Sequence, residues 1–167
     1  MLLEFEVSPL LKADIPFVAE IEQHNQPEPW TARSFAEELD RLHSKVLVAR
    51  VKAVQQPTAG EKPPEPGTIV GYICFWRIFG ELQILNLVVD RSFRRRGTAR
   101  LLLDRAIDFG REAKADHATL EVREGNVAAR GLYESVGFRP VGERSGYYGA
   151  NEEAAIIMEL ELNDRRV

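Results

Sequence analysis

Apolar residues recur along the chain at two spacings, and the switching between them predicts the order of its elements. Leu3, Phe5 and Val7 alternate with Glu4, Glu6 and Ser8, the period of a strand with one buried face. Ile15, Val18, Ala19 and Ile21 fall on one helical face, behind an Asp14 suited to the N-cap and with Pro16 in the tolerant first turn. Pro27, Pro29 and Trp30 interrupt that pattern, and Thr31 opens a second short helix with Phe35, Leu39 and Leu42 inward. Val46, Val48 and Val51 predict a second strand. Residues 54–67 hold four prolines and no apolar period, which reads as an exposed connection and not a domain boundary.

Beyond that loop, residues 69–78 and 81–89 form a predicted hairpin around the tight turn Phe79-Gly80. A long helix is expected over about 97–114, with Leu102, Leu103, Ala106, Ile107 and Gly110 at helical spacing. Residues 117–123 make the next strand. Asn126 is placed to cap a helix that ends at Gly137, a C′ glycine, and residues 138–148 and 154–162 close the chain as two strands. The order β-α-α-β-β-β-α-β-α-β-β predicts an α/β fold with a mixed sheet of about seven strands and four helices. The strands on either side of the long helix should be parallel neighbours. At 167 residues, one domain over 1–167 is expected.

Composition narrows the function more than the fold. Net charge is −4, so a generic nucleic-acid binder is disfavoured, and no apolar run is long enough to cross a membrane. The N-terminus is acidic early and lacks the basic start of a signal peptide, so a cytoplasmic setting is expected. Cys74 lies in an apolar run and reads as a buried, inert thiol. His24, His43 and His117 are scattered without metal-ligand spacing, and no metal is expected.

Against this acidic background, basic charge concentrates in Arg94-Arg95-Arg96-Gly97-Thr98-Ala99-Arg100, between a predicted strand and the long helix. A helix start offers unpaired N–H groups and the positive end of a dipole, so extra arginines there make sense if an anion sits among them. The segment fails as a P-loop, having no lysine after Gly97, and fails as a dinucleotide fingerprint, having one glycine of three. It fits Q/R-x-x-G-x-G/A through Arg94, Gly97 and Ala99. Glu121, in an otherwise apolar strand, reads equally as a functional carboxylate or as the ion-pair partner of Arg123.

This turn, placed after Leu87-Val88-Val89-Asp90, resembles that of the GNAT family of acetyl-CoA-dependent N-acetyltransferases. The resemblance covers nearly the whole chain. The stretch from Leu120 to Ala129, the run Leu132-Tyr133-Glu134-Ser135-Val136-Gly137-Phe138, Pro29-Trp30-Thr31 followed by Phe35, and Tyr147-Tyr148 followed by Ala155-Ile156-Ile157-Met158 are similar to one subgroup. Its members acetylate the N-terminal alanine of a small-subunit ribosomal protein. The loop at 54–67 departs from the compact family pattern.

The resemblance implies the acyl-CoA N-acyltransferase fold, acetyl-CoA as cosubstrate, and a protein N-terminus as acceptor, with neither nucleic acid nor membrane as a direct partner. It implies Glu121 as general base and Tyr133 as the acid for the departing thiolate. It implies cofactor contacts from Leu87, Val88 and Val89 in a splayed strand, from Arg94, Arg95, Arg96, Gly97, Thr98, Ala99 and Arg100 in the turn, and from Asn126. The segments 26–35 and 142–151 would shape the acceptor site. The alternatives are a family member acting on a small-molecule amine or a lysine side chain, a coenzyme A-binding module without catalysis, and a nucleic-acid module using the arginine run.

Overall fold

A computed structural model of the chain describes residues 1–60, 62–146 and 153–163. The elements follow in the expected order: β1 (Leu2–Pro9), α1 (Ile15–Asn25), α2 (Ala32–Asp40), β2 (Ser44–Gln56), β3 (Ile69–Ile78), β4 (Glu81–Val89), α3 (Thr98–Glu112), β5 (His117–Arg123), α4 (Val127–Val136), β6 (Arg139–Arg144) and β7 (Ala155–Glu161). Single 3-10 turns precede α1 and follow β4. The strands form one seven-stranded mixed sheet in the order β1-β2-β3-β4-β5-β7-β6. β4 and β5 are parallel, as the intervening helix predicts, and β7 lies between β5 and β6, antiparallel to both.

Contacts divide the chain into two compact units, 1–75 with 86–106, and 76–85 with 107–167. The first is built on the apolar stripe of α1. Val18 and Ile21 pack with Leu10, Ile15, Phe35, Val46, Val48, Tyr72, Cys74 and Val88. In the second, Gly110 lets α3 lie close to the sheet, because a Cβ there would stand 2.8 Å from Leu162 Cδ1 and 3.0 Å from Leu82 Cδ2. The β3–β4 turn carries positive φ at both Phe79 (49°) and Gly80 (79°), the hand that suits a two-residue hairpin. Among the described residues, no helix is long and apolar enough to cross a membrane.

Four local expectations are corrected. Asp14 does not cap α1 through its side chain. Its carboxylate accepts the Leu11 N–H at 2.8 Å and pairs with Arg50. The inward face of α2 is Phe35 and Glu38, while Leu39 is exposed and Leu42 falls beyond the helix, fully exposed. The connection expected from residue 54 starts later, because β2 runs to Gln56 opposite Leu2. Pairing with the distant N-terminal strand extends β2 where the sequence carries no period of its own. Finally, the described part of the strand expected over 138–148 is β6, all of it exposed; Tyr147 and Tyr148 lie outside the described residues.

Candidate functional site

In the first unit, the strand-turn-helix is built by local chemistry. Asp90 Oδ1 accepts the Ser92 N–H at 2.8 Å, which folds the chain back at the end of β4. Arg95 and Gly97 then take left-handed conformations, with φ of 63° and 79°. Leu101 N–H bonds to Gly97 O at 3.0 Å as α3 begins. The N–H groups of Thr98, Ala99 and Arg100 ahead of it belong to the first turn, which a helix leaves without internal partners.

The arginines do not converge on one point. Arg94 bonds inward, Nε to Val89 O at 3.1 Å and Nη2 to Asn25 Oδ1 at 2.8 Å, and so staples the turn to the ends of β4 and α1. Arg96 donates to Met1 O at 3.1 Å, and Arg100 pairs with Asp104 at 2.9 Å. The open groups at this turn are therefore chiefly backbone. Two features fit a phosphate there. A Cβ added at Gly97 would meet nothing within 4 Å, so the approach to the backbone is open. Thr98 is only 2% exposed, yet its Oγ1 has no hydrogen-bond partner among the described residues. A buried hydroxyl beside a helix start is a donor in want of an acceptor.

On β4, Leu87 is half-buried, and Val88 and Val89 are buried. Among the described residues the parallel ladder to β5 runs from Glu81↔His117 to Ile84↔Leu120, whereas β4 continues to Val89 and β5 to Arg123. Gly71 of β3 supports β4 closely, since a Cβ there would stand 2.7 Å from Val88 O.

Two buried residues that sequence reasoning missed, Glu22 and Tyr72, bond with the half-buried Asn86 of the same strand. Glu22 is 1% exposed. Its carboxylate accepts from Tyr72 Oη at 2.6 Å, Asn86 Nδ2 at 3.1 Å and the Trp30 N–H at 3.2 Å. Burial, and then the Glu22 charge, push the Tyr72 phenol well above its usual range. A signal was available. Val18, Ile21 and Glu22 share the i, i+3, i+4 stripe of α1, and Asn86 interrupts an apolar strand.

In the second unit, Glu121 is accessible to solvent. Its bland reading as the partner of Arg123 is corrected: Arg144 of β6 lies 3.1 Å from the Glu121 carboxylate, and Arg123 pairs with Glu153 at 3.6 Å. Glu153 also accepts the Gly125 N–H at 3.0 Å, which holds the β5–α4 loop. Asn126 caps α4, its Oδ1 accepting from Ala129 N–H at 3.2 Å, and the helix ends at a left-handed Gly137. The cap leaves the Asn126 amide nitrogen available for a ligand. Tyr133, about two turns along the same face, is 8% exposed and packs its ring on Phe138 at 5.9 Å. Among the described residues, no group of three His, Cys, Asp or Glu comes together as a metal site.

The strand, the Gly97 turn and the open helix start, followed in the chain by Glu121 and Tyr133, all fall within one family match. The family model described as the acetyltransferase (GNAT) family matches residues 15–138. The chain belongs to the GNAT family. It is an acetyl-CoA-dependent N-acetyltransferase. It is 32% identical over 152 residues to a putative [ribosomal protein bS18]-alanine N-acetyltransferase of Bacillus subtilis, covering 90% of this chain and 91% of that one. It is also 32% identical to the N-alpha-acetyltransferase RimI of Mycobacterium tuberculosis, over 95% of this chain and 93% of the relative. Among solved structures, the ribosomal-protein-S18-alanine N-acetyltransferase of Escherichia coli matches with a TM-score of 0.80 at 27% identity, covering 98% and 99% of the two chains. The GNAT fold is thus shared over nearly the whole length.

Proposed function

We propose that this GNAT enzyme transfers acetyl from acetyl-CoA to the N-terminal α-amino group of a protein, the N-terminal alanine of a small-subunit ribosomal protein. The observation that carries the reading is the agreement among relatives that align over most of both chains and are named for that reaction, at 28–32% identity. The family match spans residues 15–138, and we take 1–167 as one catalytic domain in a cytoplasmic enzyme, with 54–67 as an excursion from it. The acidic balance of the chain, −4, favours encounter with a basic ribosomal substrate.

The roles of the side chains follow from proton bookkeeping. When bound, acetyl-CoA supplies an activated acyl carbon on a thiol leaving group. The pyrophosphate would rest on the N–H groups of Gly97, Thr98, Ala99 and Arg100 and on the Thr98 hydroxyl, with Arg95 and Arg96 contributing charge and Arg94 holding the turn. The Asn126 amide would meet the pantetheine arm. The Leu87 and Val89 N–H groups would orient the donor and stabilise its carbonyl oxygen as that oxygen gains charge. The attacking amine must be neutral. A peptide α-amino group has a pKa of about 7.7–8.0, against about 10.4 for lysine, so it asks much less of a base. Glu121 takes its proton, directly or through water, and Tyr133 returns one to the thiolate.

The deciding experiment incubates the enzyme and acetyl-CoA with peptides that differ only in their first residues, and locates the acetyl group by mass. Acetyl on the α-nitrogen of an alanine-initiated peptide is expected. Exclusive acetylation of lysine side chains or of small amines would overturn the acceptor assignment, and cofactor binding with no transfer would overturn the catalytic one.

A further inference from the structure

A carboxyl group buried to 1% exposure is expensive unless its oxygens are hydrogen-bonded, and an apolar residue on the stripe of α1 would pack there without that cost. Glu22 is bonded through both oxygens, by three donors from three separate segments. One oxygen takes the Trp30 N–H of the 26–31 linker and the Asn86 amide of β4; the other takes the Tyr72 hydroxyl of β3. Asn86 also donates to Tyr72 Oη at 2.6 Å, which closes the network. Rings complete the joint: Trp30 lies 5.6 Å from Phe35, and Phe35 meets Tyr72 edge-on at 5.0 Å. Asn86 immediately precedes Leu87, and the linker is the first part of the 26–35 segment assigned to the acceptor. Every group named here lies in the first unit.

We infer that Glu22 is a positioning residue that fixes the 26–31 linker in register with β4. Resting on the acceptor reading above, it thereby sets how the amine substrate meets the donor strand. Hydrogen bonds to a charged acceptor are stronger and more directional than neutral ones, which suits a joint that must hold a peptide N–H and a strand amide on one oxygen. The Asn86 amide alone, without the carboxylate, has no hold on the linker.

The test uses the full chain with Trp76→Phe, which leaves Trp30 as the sole tryptophan of the two in the sequence. Glu22→Met keeps the volume and removes every acceptor; Glu22→Gln keeps one acceptor oxygen. Quenching of Trp30 by acrylamide, without substrates, is expected to rise about twofold in Glu22→Met and less in Glu22→Gln, because the linker is no longer pinned. The KM for an alanine-initiated peptide should rise about tenfold and about threefold respectively, while the KM for acetyl-CoA stays within about twofold. If Glu22→Met does not fold, Glu22→Gln carries the measurement. Unchanged quenching in a folded variant overturns the inference, and so does a loss confined to the active fraction with peptide KM unaltered. If no peptide is acetylated by the parent enzyme, the acceptor reading fails, and quenching alone still decides the role of Glu22.

Discussion

Arg144 brings its guanidinium to 3.1 Å from the Glu121 carboxylate, joining the end of β6 to the strand that carries the proposed base. Both side chains are reached by solvent, Arg144 at 55% and Glu121 at 30%, so the pair is worth at most about 1 kcal/mol to the fold. Glu121→Gln should therefore melt within a few degrees of the parent. Its turnover should fall by about a hundredfold or more, the usual loss when a general base is removed. Normal turnover at neutral pH would take Glu121 out of the mechanism. Arg144→Met should likewise leave the melting temperature nearly unchanged.

Tyr133 separates packing from proton transfer. Its ring rests against Phe138 and the residue is nearly buried, so Tyr133→Phe keeps the ring contact and should keep the fold. Turnover is expected to drop at least tenfold with little change in acetyl-CoA affinity. An equal loss in affinity and none in turnover would identify the hydroxyl as a binding group.

Gly97→Ala probes the anion seat. The φ of 79° disfavours any Cβ, at about 1–2 kcal/mol, although nothing in the protein stands within 4 Å of it. Titration calorimetry should show weaker coenzyme A binding than the stability loss accounts for, because a Cβ intrudes on the space a phosphate would use. Unaltered affinity would move the phosphate elsewhere.

Gly71→Ala fails for the opposite reason. Its Cβ would meet the Val88 carbonyl at 2.7 Å, a backbone atom that gives way only by moving β4. A loss of about 1–3 kcal/mol in urea unfolding is expected, with weakened cofactor binding as Leu87 and Val89 shift. A fully stable Gly71→Ala with native affinity would contradict this packing.

Cys74 gives a pH prediction. Burial, and then the neighbouring Glu38 charge, push its thiol from an ordinary 9.0 up to about 12. The folded state holds a proton that the unfolded chain releases from about pH 9. This contribution is therefore intact below pH 9 and is lost as pH rises towards 12, at about 1.4 kcal/mol per pH unit at most. The parent should lose more stability than Cys74→Ala between pH 9 and 11, by urea midpoint. Equal losses would show that the thiol does not take part.

Much of the site was legible because it is encoded locally. The Gly97 turn, the Asn126 cap and the Gly137 terminus each depend on residues a few positions apart. So does the helical spacing of Leu102, Leu103, Ala106 and Ile107, all of which are buried. The error on α2 has a plain origin. Leu39 was expected inward, but it is exposed, while Glu38 is buried and held by Ser44 Oγ and Arg41, each at 2.6 Å. Hydrophobicity assigns a residue to a face by its own character and takes no account of partners that can satisfy a buried charge.

The sequence by itself determined the order and type of the elements, the left-handed turn at Gly97, and the family. Periodicity, caps and left-handed glycines act within a turn or two of chain. Tertiary structure alone decided that β7 lies between β5 and β6, that β2 extends along β1, that Arg144 and not Arg123 partners Glu121, and that Glu22 links α1, the linker, β3 and β4. Each of these is a meeting of groups far apart in sequence. A pattern of apolar and polar positions states which face is buried, but not which distant group it will meet.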